Sequence, residues 1–317
     1  MAQRITSGMM VSNFNRNLNA ANEKMHRFQT QLATNRRIVR LSDDPVGVVK
    51  SLNARAKLAD ITQYQKNLQS AQAWLTQTES ALEELNTLLK RGYELAVYAS
   101  NDVLSNEDRD AVSREIGQLR DQVLTLSNTT IGDKYIFGGY NFTSAPFVAD
   151  LETGEIFHNG EDMVLGDPDL DFPIYEISTG VDFEVGISGA AFLGTGEENV
   201  FHIFHQFFQT ISQSSDLNED GLEMLHENIK PFIGSMLTAQ RATLTQLAEI
   251  GGRSSRIEMM TDRYAVSNIN YTQMKSDVED LDQGEAIMWF SMAEAVYRSA
   301  LGIGGRILPP SLQDFMR

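Results

Sequence analysis

The sequence predicts a mainly α fold with a small β insertion: a long antiparallel helical rod formed by both chain halves, with a β-rich domain inserted in the middle. Three observations predict it. Apolar residues recur at a 3.5-residue period near both ends, the spacing that keeps one stripe of a helix against a partner helix. A third apolar period runs on from Asp44-Pro45 for some fifty residues, about 80 Å of helix and too long for an ordinary compact domain. Strand and hairpin signals are confined to the middle, so the helices on either side must pack on each other.

The elements follow in order. Phe14, Leu18, Ala21, Met25, Phe28 and Leu32 form the first seam, which Thr34-Asn35-Arg36-Arg37 interrupts. Asp44 is a good N-cap and Pro45 is suited to a first helical position. The helix they open continues to about Ala99 through Ile61, Tyr64, Leu68, Ala71, Leu75, Thr78, Leu82, Leu85 and Leu89, with Gly92 expected to loosen its end. Ser105 with Asp108 can cap a third helix whose seam is Val112, Ile116, Leu119, Val123 and Leu126. Tyr135-Ile136-Phe137 then reads as a strand ending at Gly138-Gly139. Asn159-Gly160 between Glu155–His158 and Asp162–Leu165 signals a type I′ hairpin. Pro173–Ile177 and Asp182–Ile187 are further strands. Helices resume near Glu198, with Pro231 expected to kink one or start another. The last seam is Trp289, Ala293, Val296, Ala300, Ile303 and Ile307. Two one-sided seams at opposite ends predict termini that pair with each other or with other copies of the chain.

Composition narrows the class. The 317 residues include no cysteine, which excludes disulfides and thiolate metal sites. There is no run of 18 apolar residues, so no membrane span is expected. The opening Met1–Ser7 stretch lacks the charged-then-apolar pattern of a cleaved signal, so any export is expected to use a signal-less route. The net charge of −17 is uneven: residues 135–229 hold 18 Asp and Glu and no Lys or Arg, whereas the first 57 carry ten cations against three acids. That basic start lies on a heptad helix without aromatic stacking residues, so nucleic acid is not expected as a partner.

Candidate chemistry is sparse. Asp216, Asn218, Asp220 and Glu227, with Gly221, fit a calcium-loop pattern of oxygen ligands around a sharp turn. Position 8 is Glu223, where a paired hand offers an apolar residue, no second loop is present, and any interhelical turn uses the same residue types. Asp167, Asp169 and Asp171 read as a solvated acidic loop. His202 and His205 stand three apart on a helix, but Phe204, Phe207 and Phe208 indicate a packed face. No phosphate loop or nucleophile elbow is present, so no catalytic residue and no cofactor is expected.

Several segments carry a family resemblance. Asn35 to Gly47, reading NRRIVRLSDDPVG, resembles the N-terminal signature of the flagellin superfamily. Its Asp-Asp-Pro form is similar to the hook–filament junction members, since flagellin itself usually has Ala at the place of Pro45. Gly132–Gly139 with Ser144–Phe147, Ala248–Arg253 with Arg256–Glu258, Glu279–Asp282 with Glu285-Ala286, and Ser311–Met316 resemble further family motifs in the same order. The resemblance implies a structural component of the bacterial flagellum required for motility. It also implies export through the flagellar type III apparatus with a chaperone, and assembly into a ring that links a neighbouring hook-associated protein to flagellin. Residues 1–42 with 284–317 are then terminal assembly helices, 43–137 with 197–283 the helical rod, and 138–196 an acidic outer domain. Phe14, Leu18, Met25, Phe28, Leu32, Trp289, Val296, Ile303 and Ile307 are the expected assembly residues, with Asp44 and Pro45 structural. A small flagellin remains the nearest alternative, and a calcium-binding helical module the alternative from another class.

Overall fold

The computed structural model describes residues 7–100, 105–139, 144–149, 156–158, 161–162, 172–213 and 219–307. The chain is mainly helical, with short antiparallel strands between its third and fourth helices. It divides into two compact units, residues 1–61 with 265–317 and residues 62–264. Two long helices, α2 (Pro45–Ala99) and α6 (Glu219–Glu279), contribute to both.

In the larger unit, Leu68, Leu75, Leu82, Leu85 and Leu89 of α2 are fully buried, as their spacing requires. α3 (Asn106–Ser127) starts at a capping box in which Ser105 accepts from the Asp108 amide and Asp108 accepts from the Ser105 amide. Its seam Val112, Ile116, Leu119, Val123 and Leu126 is buried, and α3 packs on α5 (Val200–Ser212). α5 begins where the Asn199 side chain accepts from the Phe201 amide, and it buries Phe201, Phe204 and Phe207. Gly92 is part of this core and does not loosen α2. A Cβ there would meet the Phe204 ring at 2.7 Å, so the glycine lets the aromatic ring lie against the helix backbone. Nor does Pro231 start a new helix: α6 runs through it from Glu219 to Glu279.

Three small sheets lie between α3 and α4 (Gly189–Leu193). β1 (Thr130–Ile131) and β2 (Lys134–Tyr135) turn through Gly132 at φ +60°. β3 (Phe147–Ala149), β4 (Ile156–His158) and β5 (Glu161–Asp162) form a meander in which His158 pairs with Glu161, the register of a two-residue hairpin; residues 159–160 lie outside the described residues. β6 (Ile174–Ser178) and β7 (Val181–Glu184) turn at Gly180, φ +69°. This last hairpin is strapped to two helices. Asn67 donates to the Glu176 carbonyl at 2.7 Å and Tyr264 to the Ile177 carbonyl at 2.7 Å. The Tyr64 and Tyr264 rings stack 5.6 Å apart, and the Arg256 guanidinium lies over Phe183. A short hairpin is marginal alone in water, and this packing supplies what its few ladder bonds do not.

In the smaller unit, α1 (Ser7–Thr34) and α7 (Gln283–Ile307) lie antiparallel. Phe14 of α1 packs against Gly304 near one end, and Asn35 accepts from Gln283 at 3.0 Å near the other.

Candidate assembly interface and the connector between α1 and α2

The first seam behaves as its spacing predicts. Phe14, Leu18, Ala21, Met25, Phe28 and Leu32 are all half-buried. α7 meets α1 through a different register from the one predicted. Ala286, Phe290, Ala293, Glu294, Tyr297, Ala300 and Gly304 are its covered or half-covered positions. Only Ala293 and Ala300 belong to both stripes. Trp289, Val296 and Ile303 lie on the neighbouring stripe and are exposed, Val296 at 59%. Both registers have the 4-3 spacing, so periodicity alone does not choose between them. Small side chains do: Ala286, Ala293, Ala300 and Gly304 admit a close neighbour. Ile307 closes α7, and its side chain lies outside the described residues.

The connector, residues 35–44, is tied down by its own side chains and by Gln31 of α1 and Gln283 of α7. α1 ends at Thr34, and Asn35 takes the left-handed conformation at φ +53°, a residue type that tolerates it. Arg37 then caps the C-terminus of α6. Its Nε and Nη2 donate to the Val278 carbonyl at 3.1 and 2.9 Å, and its own amide donates to the Glu279 carbonyl at 2.8 Å. These are carbonyls that a helix end leaves without intrahelical partners. Asp43 accepts from the Val39 and Arg40 amides, which closes the turn before α2. Asp44 accepts from the Gly47 amide at 2.9 Å and Pro45 is the first residue of α2, so the pair caps the helix as its residue types imply.

Beneath the connector sits Glu279, only 5% exposed. Arg55 donates to it from Nε at 2.7 Å and from Nη2 at 2.6 Å, and Ser51 donates to Oε1. Arg55 holds the carboxyl at about 2, below the usual 4.5; burial opposes this, while Ser51 and the nearby Arg36 charge act with Arg55. Asp282 caps α7 by accepting from the Gly284 and Glu285 amides. Sequence periodicity missed this cluster because it is polar. The available signal was an acid at the end of a long apolar period, Glu279, in a segment followed by a capping Asp.

The other candidates do not converge. α6 starts at Glu219, so positions 4 to 12 of the calcium pattern, Asp220 and Glu227 among them, lie on a helix and not on a loop bent at Gly221. Glu227 pairs with Lys230 at 3.5 Å. Asp216, Asn218, Asp167, Asp169 and Asp171 fall outside the described residues. His205 is buried beside Arg120 and Gln209, and His202 bonds Gln206. Among the described residues no three His, Asp or Glu gather as a metal site would require, and no helix is long and apolar enough to cross a membrane.

Comparison with known proteins fits this architecture. Residues 5–142 match the bacterial flagellin N-terminal helical region. The chain is 25% identical to flagellar hook-associated protein 3 of Escherichia coli (strain K12) over 302 residues, covering 94% of each chain. It is 24% identical to a 30.7 kDa flagellar filament core protein of Treponema maltophilum, covering 91% of this chain and 90% of that one. The solved flagellar junction protein of Legionella pneumophila shares the fold, with TM-score 0.58 at 15% identity, over 74% of this chain and all of that one. Residues 5–142 thus resemble the bacterial flagellin N-terminal helical region, in a chain that resembles flagellar hook-associated protein 3 over nearly its whole length.

Proposed function

We propose that this chain is a structural protein of the bacterial flagellum that joins the hook side to the flagellin filament and is required for motility. The observation that carries the reading is the end-to-end similarity to hook-associated protein 3, with 94% of both chains aligned. The helical termini support it, because each keeps apolar side chains that one subunit covers only in part. Copies of the chain form a ring, with a hook-associated protein on one side and flagellin on the other. The subunit leaves the cell through the flagellar type III apparatus after release from a chaperone. Residues 1–42 and 284–317 serve as the assembly helices, 43–137 with 197–283 as the helical body, and 138–196 as the outer acidic domain. The like charge of that domain keeps it solvated and discourages association between neighbouring filaments.

A second reading, a small filament subunit, is favoured by the Treponema maltophilum filament core protein, aligned over 91% of this chain. A deletion strain separates them. A junction protein leaves flagellin made but lost to the medium, with motility restored by the intact gene. Filaments that stay attached in the deletion strain refute the junction reading, and disappearance of the major filament protein itself supports the second.

A further inference from the structure

The smaller unit has two apolar faces that its described residues leave exposed. One surrounds the start of α2: Leu41 and Val46 are 74% and 67% exposed, and Val39, Val49 and Leu52 are exposed beside them. Part of this patch opens onto a groove of about 290 Å³ with Arg36 and Arg40 on its wall. The other is the outer stripe of α7, Trp289, Met292, Val296 and Ile303. α1 already occupies the inner face of α7, so among the described residues this stripe is left without a covering element. Large exposed apolar patches with a polar rim mark interaction sites.

The charges around the two faces are opposite. Residues 36–55 with Glu279, which lines the same groove, hold five cations against three carboxylates, a net charge of +2. Residues 282–303 hold Asp282, Glu285 and Glu294 against one cation, Arg298, which pairs with Glu294, a net charge of −2. Glu285 stands at the head of the stripe, where it accepts from the Trp289 indole at 3.1 Å. A face with a basic rim and a face with an acidic rim suit each other better than either suits itself.

We infer that the patch formed by the connector and the start of α2 receives the outer stripe of α7 from a second copy of this chain. The contact is heterologous: each subunit offers one face and uses the other, so the association continues from subunit to subunit until it closes into a ring or winds into a helix. This deepens the assembly reading above and rests on it, naming the surfaces that a copy presents and receives.

The absence of cysteine makes the test clean. Single variants Val46→Cys, Val49→Cys and Leu52→Cys are made on the patch, and Trp289→Cys, Met292→Cys and Val296→Cys on the stripe. All six positions are exposed, so each variant is expected to keep the melting temperature of the native chain. The full-length proteins are concentrated in sulfate, which strengthens apolar association, and oxidised with copper phenanthroline. The expected result is a disulfide-linked dimer in patch-plus-stripe mixtures and its loss when either variant is oxidised alone. Dimers from a single variant alone would overturn the heterologous contact. If the native chain self-associates in a sedimentation run yet no mixture cross-links, the surface assignment fails while the assembly reading stands. If the native chain remains monomeric throughout, self-assembly fails and this contact fails with it.

Discussion

Replacing Glu279 by Gln removes one charge and keeps the shape of the side chain. The native carboxyl titrates at about 2 against an ordinary value of 4.5, and that difference corresponds to about 3 kcal/mol of stabilisation at neutral pH. Arg55 is nearly half exposed on its side chain, and water competing for its guanidinium reduces this to about 2 kcal/mol. The sign follows from the direction of the shift. A carboxylate depressed in the folded state contributes fully above the unfolded value and loses its contribution as pH falls from about 4.5 to about 2. Glu279→Gln is therefore expected to loosen the connector strongly at pH 7 and hardly at all below pH 2, where the native side chain is itself mostly protonated. Amide exchange followed by mass spectrometry over residues 31–55 reads this locally, as the difference between native and variant at each pH. Equal differences at pH 3 and pH 7, or no difference at pH 7, would refute the assignment of Glu279 as the charged centre that holds the connector.

Asp44→Ala should cost about 1 kcal/mol through loss of the cap on α2, whereas Pro45→Ala should be mild; paired thermal melts of the two variants check this. Gly92→Ala should destabilise by about 1–3 kcal/mol despite alanine's better helix propensity, because the new Cβ meets the buried Phe204 ring. Denaturant unfolding that finds Gly92→Ala more stable would disprove the close packing. Limited proteolysis should cut α1 and α7 before the 62–264 unit, since their shared seam is only half covered; simultaneous cleavage throughout the chain would contradict it.

Much of the fold was legible because the long helices state their own period. The α2 seam, the Ser105–Asp108 capping box and the Asn159-Gly160 hairpin register all follow from local rules that tertiary packing does not overrule. Gly92 misled because propensity describes an isolated helix, and Pro231 starts no new helix. At Gly92 a neighbouring aromatic ring decides, and at Pro231 the rest of α6 carries the helix onward. The partner face of α7 was illegible for another reason. Two stripes with the same spacing share Ala293 and Ala300, and only residue size along each tells which one admits α1. The Glu279 cluster joins residues more than 220 positions apart, so no window of the sequence contains it.

Arg37 and the carbonyl of Val278 that it caps are 241 residues apart. Ribosomal synthesis at about 5–20 residues per second puts roughly 12 to 50 s between their appearances. Through that interval the end of the first helix has no partner to hold it, and closing so long a loop carries its own entropic delay. The N-terminal arm of a growing chain is thus untied for nearly the whole of its synthesis, and whatever must take hold of an unfolded leading end has its opportunity then.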